Sequence, residues 1–179
     1  IEIESGLMKP ITNRKIENRA ILLESYPSFS PDGNYISYWF PRDSLINGSE
    51  IFIAPSAGGE GKSITSKLDR YFYRTEWSSD SKSVLVAAND DNTVSLWLQS
   101  TNGASKKLKL GNLCITGSYW YNYNYGKNGS IAFIASSSLS PPELYYMTSS
   151  DAIPKKLTSF NSAIASMKLG KQEPITWKS

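Results

Sequence analysis

Two loop segments hold the side chains best suited to meeting a ligand. Arg70, Tyr73 and Arg74 lie in one of them, and Arg42 lies in the other. An arginine presents a planar fork of N–H donors that can pair bidentately with a carboxylate. A tyrosine adds an aromatic face and a hydroxyl. These four residues are therefore predicted to contact a substrate or partner that is acidic or carries a carboxylate.

The composition restricts the catalytic and metal chemistry. The 179 residues include no histidine and a single cysteine. This excludes a Ser-His-Asp triad, a Cys-His pair, histidine-based metal sites and an intrachain disulfide. Cys114 is interpreted as a small buried side chain, and Asp90-Asp91-Asn92 lacks the ligand spacing of a calcium loop. The sequence therefore predicts no catalytic residue, no metal and no cofactor.

The charge and hydropathy of the chain bear on its partners. The net charge is +3, and the basic residues are scattered rather than arranged in a stripe. This argues against a nucleic-acid partner. No apolar run approaches the roughly 20 residues that span a bilayer, so no membrane partner is predicted. The compartment is left open.

The chain repeats itself with a period in the upper forties. Asp32, Asp80 and Asn128 each follow a predicted strand, and they stand 48 positions apart. Two further sets of landmarks keep the same order and a similar spacing: Ile51, Leu96 and Leu144, and then Ile64, Leu108 and Leu157. A self-similar unit of four short strands at this period is typical of propeller blades.

The expected fold is all-β, a partial β-propeller over residues 1–169 with no helix longer than a turn or two. It has about three four-stranded antiparallel blades, roughly at 26–65, 73–109 and 117–158. Stray terminal strands are also expected, one of them the outer strand of a preceding blade near 7–12. Lysines mark the outermost strands, where charge discourages pairing with another chain.

The inner parts of the blades show two patterns. Tyr35–Phe40, Val84–Ala88 and Ile131–Ala135 are nearly continuous apolar runs, as expected of strands covered on both faces. Aromatic residues alternate along Tyr119–Tyr125, which indicates a strand with one aromatic face. That face serves either packing between blades or stacking on a carbohydrate or another ligand. Phe29 and Trp77 precede their turns at positions where blades pack together.

The expected assembly follows from the number of blades. Closed propellers typically have 4–8 blades, so three blades are predicted to form an open arc. The first and last blades are expected to expose the apolar faces of Tyr35–Phe40 and Ile131–Ala135. Exposed apolar patches of this kind usually mark contact surfaces. The chain is therefore predicted to self-associate through its open blade faces.

Several sequence segments resemble the repeats of TolB-type propellers, and more specifically those of the propeller in the prolyl oligopeptidase family of serine peptidases. They are Tyr26-Pro27-Ser28-Phe29-Ser30-Pro31-Asp32-Gly33, Glu50-Ile51-Phe52-Ile53, Glu143-Leu144-Tyr145-Tyr146-Met147 and Lys156-Leu157-Thr158. The tail from Glu173 to Ser179 is similar to the strand by which that family leaves its propeller. The resemblance is to the acylaminoacyl-peptidase and dipeptidyl aminopeptidase branch.

The resemblance implies that residues 170–179 are an exit strand toward a hydrolase domain. The sequence has no Gly-x-Ser-x-Gly elbow, so none of the family's catalytic residues can be assigned here. The implied role is a non-catalytic propeller segment that gates and positions peptide substrate, with the peptide or the catalytic domain as its partner. The alternative is a TolB-like propeller for protein–protein interaction. A glycan-acting enzyme, with the aromatic face as its platform, is a third interpretation.

Overall fold

The computed structural model describes residues 5–12, 25–41, 49–68, 70–117 and 121–167, together with residues 170, 173 and 175–178. Within these residues the chain is almost entirely β. The one short helix described, α1, is Ser162–Ala165. Three antiparallel sheets follow one another along the chain. The prediction of an all-β partial propeller with no long helix is confirmed.

The sheets share one plan, in which four strands lie in chain order from the inner to the outer edge; the third sheet has one additional short strand, which pairs with the second strand of that order. The first sheet consists of β1 Ser25–Phe29, β2 Tyr35–Pro41, β3 Ser49–Pro55 and β4 Lys62–Ser63. The second consists of β5 Phe72–Trp77, β6 Ser83–Asp90, β7 Thr93–Ser100 and β8 Ser105–Lys107. The third contains β9 Cys114–Ile115, β10 Tyr123–Tyr125, β11 Ile131–Ser137, β12 Ser140–Met147 and β13 Lys155–Lys156.

The same turn closes the first hairpin of each sheet. In the first sheet, the Ser30 hydroxyl donates to Asp32 Oδ1 at 2.6 Å, and the same oxygen accepts from the Asn34 amide at 3.1 Å. Asp80 repeats this arrangement with Ser78 and Lys82, whereas Asn128 Oδ1 accepts from both the hydroxyl and the amide of Ser130. A positive φ follows each of them, at Gly33, Ser81 and Gly129. The repeated landmark is therefore a turn held by local hydrogen bonds.

Neighbouring sheets also bond to each other near these turns. The Asp32 amide donates to Ser81 Oγ at 3.1 Å, and Ser79 Oγ donates to the Lys127 carbonyl at 2.8 Å. Trp77 Nε1 donates to the Ser28 carbonyl at 3.1 Å. The three sheets thus meet through their inner strands and turns.

The second sheet is buried on both faces. The side chains of Val84, Val86 and Ala88 pack in the cluster shared with the first sheet, and those of Leu85 and Ala87 pack in the cluster shared with the third. All five residues are fully buried. This explains why β6 is a continuous apolar run rather than an alternating one.

The first sheet departs from the expected exposure. Ile36, Tyr38 and Phe40 are buried, so the open apolar face predicted for Tyr35–Phe40 is not seen. Residues 9–12 lie beside this face and line a cavity with Ile36 and Tyr38. Phe29, in contrast, is 63% exposed because no described sheet packs against it, whereas Trp77 is buried against the first sheet.

The segments near the ends also differ from expectation. The structure does not place residues 7–12 in a strand; the Ile11 carbonyl accepts a hydrogen bond from the Gly59 amide in the turn before β4. In the tail, none of the described residues at 170, 173 and 175–178 is in a strand. The division of the chain into 1–169 and 170–179 stays a prediction.

Candidate functional site

A cleft lies where the inner strands of the first two sheets meet. Its volume is about 470 Å³, within the usual range for small-ligand sites. β1 and β5 provide most of its wall. The lining residues combine aromatic rings, hydroxyls, an amide and a guanidinium: Tyr26, Pro27, Ser28, Trp39, Tyr73, Arg74, Thr75 and Asn122.

Three of these residues occupy the same position of the repeat. Tyr26, Arg74 and Asn122 are 48 positions apart, the same spacing as the turn residues. Each comes from the inner edge of a different sheet, and all three line the cleft. The repeat therefore brings one position from each sheet to a common point, with a different chemical group at each.

Bulges shape the two inner strands at this point. The register between β1 and β2 shifts between Ser25 and Ser28, and the register between β5 and β6 shifts between Phe72 and Thr75. Tyr26 has a φ of 53° inside the first bulge, which is uncommon for a residue other than glycine. Bulges bend a strand and redirect its side chains. Here they turn Tyr26 and Arg74 toward the cleft.

The second bulge is filled by a tyrosine from the third sheet. The Tyr123 hydroxyl donates to the Arg74 carbonyl and accepts from the Ala87 amide at 3.0 Å. The equivalent residue at the first bulge is Thr75, 48 positions earlier. Because threonine is much shorter than tyrosine, it leaves space where Tyr123 fills it. This difference in size accounts for the cleft.

Arg74 supplies the cationic group of the cleft. Its side chain is 41% exposed, and Nη2 donates to Glu76 Oε1. The guanidinium carbon also lies 5.8 Å from the centre of the Tyr123 ring. Burial raises the pKa of Tyr123, so its hydroxyl stays protonated and can keep donating to the Arg74 carbonyl. Arg74 is thus held by Glu76 and Tyr123, and it borders the cleft.

Tyr73 is fixed by neighbours on both sides. Its hydroxyl donates to Asn89 Oδ1 at 2.8 Å. Its ring lies 4.2 Å from the ring of Tyr121 and 5.3 Å from that of Tyr71, measured between centroids. Burial, followed by the Tyr73 hydroxyl, raises the pKa of Tyr121 to about 12. The Tyr73 ring is therefore held against the core shared by the second and third sheets, and the residue also borders the cleft.

Of the three predicted contact residues that the structure describes, two lie at the cleft. Tyr73 and Arg74 line it, whereas Arg70 lies elsewhere and pairs with Asp90 at 3.6 Å. Arg42 lies outside the described residues. The Asp90 carboxylate also accepts from Lys107. Among the residues that the structure describes, no group of acidic or cysteine side chains could hold a metal ion.

The aromatic alternation at 119–125 serves packing within the described part of the chain. Tyr123 is buried, while Tyr121 and Tyr125 are half-buried against the core shared by the second and third sheets. Tyr119 lies outside the described residues. Cys114 is half-buried and begins β9, a strand that the sequence analysis did not predict.

Sequence reasoning missed most of the cleft. Tyr26, Trp39, Thr75 and Asn122 were not singled out as contact residues, although two of them could have been found. The turns repeat every 48 residues, and the same spacing counted from the predicted contact residue Arg74 leads to Tyr26 and Asn122. The role of Thr75 required knowledge of what packs opposite it.

A second, polar cleft of about 570 Å³ lies on the loop side of the sheets. It is lined by Asn92, Thr93, Asn112, Cys114, Ser136–Ser138 and Glu173. No helix within the described residues is long and apolar enough to cross a membrane.

The sequence matches no protein-family model and no curated protein. Solved structures are similar to the chain. The β-propeller domain of the trilobed protease from Pyrococcus furiosus has a TM-score of 0.62 and 18% identity, over 87% of this chain and 43% of that one. The acylaminoacyl peptidase of Pyrococcus horikoshii has a TM-score of 0.56 and 21% identity, over 74% of this chain and 19% of that one. TolB from Acinetobacter baumannii has a TM-score of 0.55 and 19% identity, over 74% of this chain and 31% of that one.

These likenesses concern the fold, since all three identities are below 25%. The chain spans between 19% and 43% of the length of the three proteins. Propellers host many unrelated functions, so the activity of a neighbour does not transfer with its fold. The chain has a β-propeller fold, in which three antiparallel sheets form an open array around a cleft at their inner strands.

Proposed function

We propose that this chain is the non-catalytic propeller of a serine peptidase of the prolyl oligopeptidase family, in the acylaminoacyl-peptidase and dipeptidyl aminopeptidase branch. There it limits access to the active site and helps to place the peptide. The observation that carries the proposal is the cleft between the inner strands, on a fold similar to a protease propeller and an acylaminoacyl peptidase.

The cleft suits a peptide in both chemistry and size. The aromatic rings of Tyr26 and Trp39 offer apolar walls, and Ser28 and Asn122 offer groups that hydrogen-bond a peptide backbone. Arg74 adds a cation that attracts a carboxylate. Since the sequence contains no histidine, the chain contributes binding and access rather than bond cleavage.

A covalent serine probe tests whether the reactive serine lies outside this chain. We expect a fluorophosphonate to label one serine in the complete product of the gene, outside these 179 residues. We also expect the 179-residue chain, expressed alone, to remain unlabelled and to hydrolyse neither peptides nor esters. Stoichiometric labelling of a serine within the chain would refute its non-catalytic role, and a gene product without any labelled serine would refute the peptidase assignment.

Steady-state kinetics of the complete gene product test the positioning role. Arg74→Ala is expected to raise KM more than it lowers kcat, because it removes binding that the substrate and the transition state share. Arg70→Ala is the matched control, since Arg70 pairs with Asp90 outside the cleft. Equal kinetics for the wild type and Arg74→Ala would remove Arg74 from substrate binding.

The alternative function is a TolB-like propeller that binds a partner protein. It is favoured by the likeness to TolB, whose TM-score of 0.55 is nearly equal to the 0.56 of the acylaminoacyl peptidase. The probe experiment separates the two, because an interaction propeller carries no reactive serine in any part of the gene product.

A further inference from the structure

At the cleft, the two interfaces between neighbouring sheets differ in the residue at one equivalent position. The interface between the second and third sheets is closed by Tyr123, which is buried and bonded to both strands of the bulge. The interface between the first and second sheets has Thr75 at the same position and holds about 470 Å³ of space. The next interface thus holds a tyrosine at the position equivalent to Thr75. The open space is therefore specific to one interface.

One end of the cleft is aromatic. The rings of Tyr26 and Trp39 lie 4.7 Å apart with an interplanar angle of 52°, and Tyr73 also lines the cleft. Aromatic rings pair favourably with a further ring in tilted or offset arrangements. Tyr26 is 54% exposed, and its backbone has a positive φ. This wall suits a flat, apolar side chain such as that of phenylalanine.

The other side of the cleft is polar and carries a positive charge. Arg74 has five N–H donors in a fixed fork, and Glu76 accepts from Nη2. The Asn122 side chain adds an amide, and the Asn122 backbone is held because the Ile134 amide donates to its backbone carbonyl at 2.9 Å. Among the residues that the structure describes, none of the side chains lining the cleft is acidic. A carboxylate is the group that this donor set complements.

We infer that the cleft binds the C-terminal aromatic residue of a peptide, with the ring against Tyr26 and Trp39 and the α-carboxylate on Arg74 and Asn122. The inference deepens the proposed function, on which it rests, by naming the class of peptide that the cleft positions. A C-terminal residue meets both requirements within one amino acid, since its carboxylate and its ring are joined through the same Cα.

A pair of matched probes tests the inference directly on the 179-residue chain. N-acetyl-phenylalanine and its amide differ in the carboxylate alone, and their binding can be followed by NMR titration. The free acid is expected to bind at least about tenfold more tightly than the amide, as for the loss of one charge-assisted hydrogen bond. N-acetyl-alanine, which keeps the carboxylate and lacks the ring, is expected to bind more weakly than the phenylalanine acid.

Two variants place the binding in the cleft. Thr75→Tyr fills the space in the way that Tyr123 fills the next interface, so it is expected to abolish binding while the melting temperature is kept or raised. Arg74→Gln is expected to weaken binding of the free acid about tenfold and to leave binding of the amide unchanged. Arg70→Gln is the control, because its guanidinium lies outside the cleft, and it is expected to bind like the wild type.

Three results would overturn the inference: equal affinities for the acid and the amide, acid binding that survives Thr75→Tyr in a folded variant, or no binding up to about 10 mM. Tighter binding of a peptide with an internal aspartate than of the C-terminal acid would assign the cleft to an acidic side chain and would also overturn it. None of these results decides the proposed function, which is judged by serine labelling of the gene product.

Discussion

The Tyr123 hydroxyl is predicted to hold the second and third sheets together, and Tyr123→Phe tests this. Its hydroxyl is inserted into the bulge of β5, where it bonds the Arg74 carbonyl and the Ala87 amide. Phenylalanine keeps the ring, which is buried in the core. The substitution therefore removes one oxygen atom and both hydrogen bonds with little change in packing.

The size of the effect follows from the burial of Ala87. This residue is fully buried, so water cannot replace the lost acceptor for its amide. An unsatisfied buried donor costs about 1–3 kcal/mol, and the Arg74 carbonyl loses a partner as well. We expect Tyr123→Phe to lower the free energy of unfolding by about 2–3 kcal/mol. With a urea m-value of about 2 kcal/mol/M, the unfolding midpoint falls by about 1–1.5 M.

Urea unfolding followed by far-UV circular dichroism measures this shift, with Tyr125→Phe as the matched control. Tyr125 lies two residues further on the same strand and is half-buried, so its variant is expected to change the free energy by less than about 0.5 kcal/mol. The folded pKa of Tyr123 is raised, so its contribution is fully present below the ordinary tyrosine pKa of about 10 and is lost only above it. A loss for Tyr123→Phe no larger than for Tyr125→Phe would refute the bridging role.

Two further predictions concern a turn and a surface. The Ser30 hydroxyl and the Asn34 amide lower the pKa of Asp32 to about 2, so its stabilising contribution is present above about pH 4 and is lost as the pH falls toward 2. Asp32→Asn, which copies the Asn128 turn, is expected to flatten the loss of stability over that window, and an unchanged acid profile would contradict this. Leu157→Lys is expected to reduce self-association in sedimentation velocity, because Leu157 lies beside Leu144 on the partly exposed face of the third sheet. Ile153→Lys, at an exposed turn, is the control, and equal effects of the two variants would contradict a specific interface.

The repeat could be predicted because its causes are local. Asp32, Asp80 and Asn128 bond to residues within two positions of themselves, so their spacing alone locates the three turns. The uninterrupted apolar run Val84–Ala88 likewise indicated a strand covered on both faces, and β6 is buried on both. Strand type, strand order and the number of sheets followed from these two signals.

The tertiary structure alone decided where the cleft lies and what closes the other interface. Thr75 and Tyr123 occupy equivalent positions, and either residue is compatible with a strand. Their difference matters because each faces a bulge in the preceding sheet, tens of residues away along the chain. β9 was missed for a similar reason, since its two residues form a strand only by pairing with Ala135 and Ser136 of β11. A local pattern records what a residue prefers, whereas a cavity or a two-residue strand depends on which distant residues lie opposite.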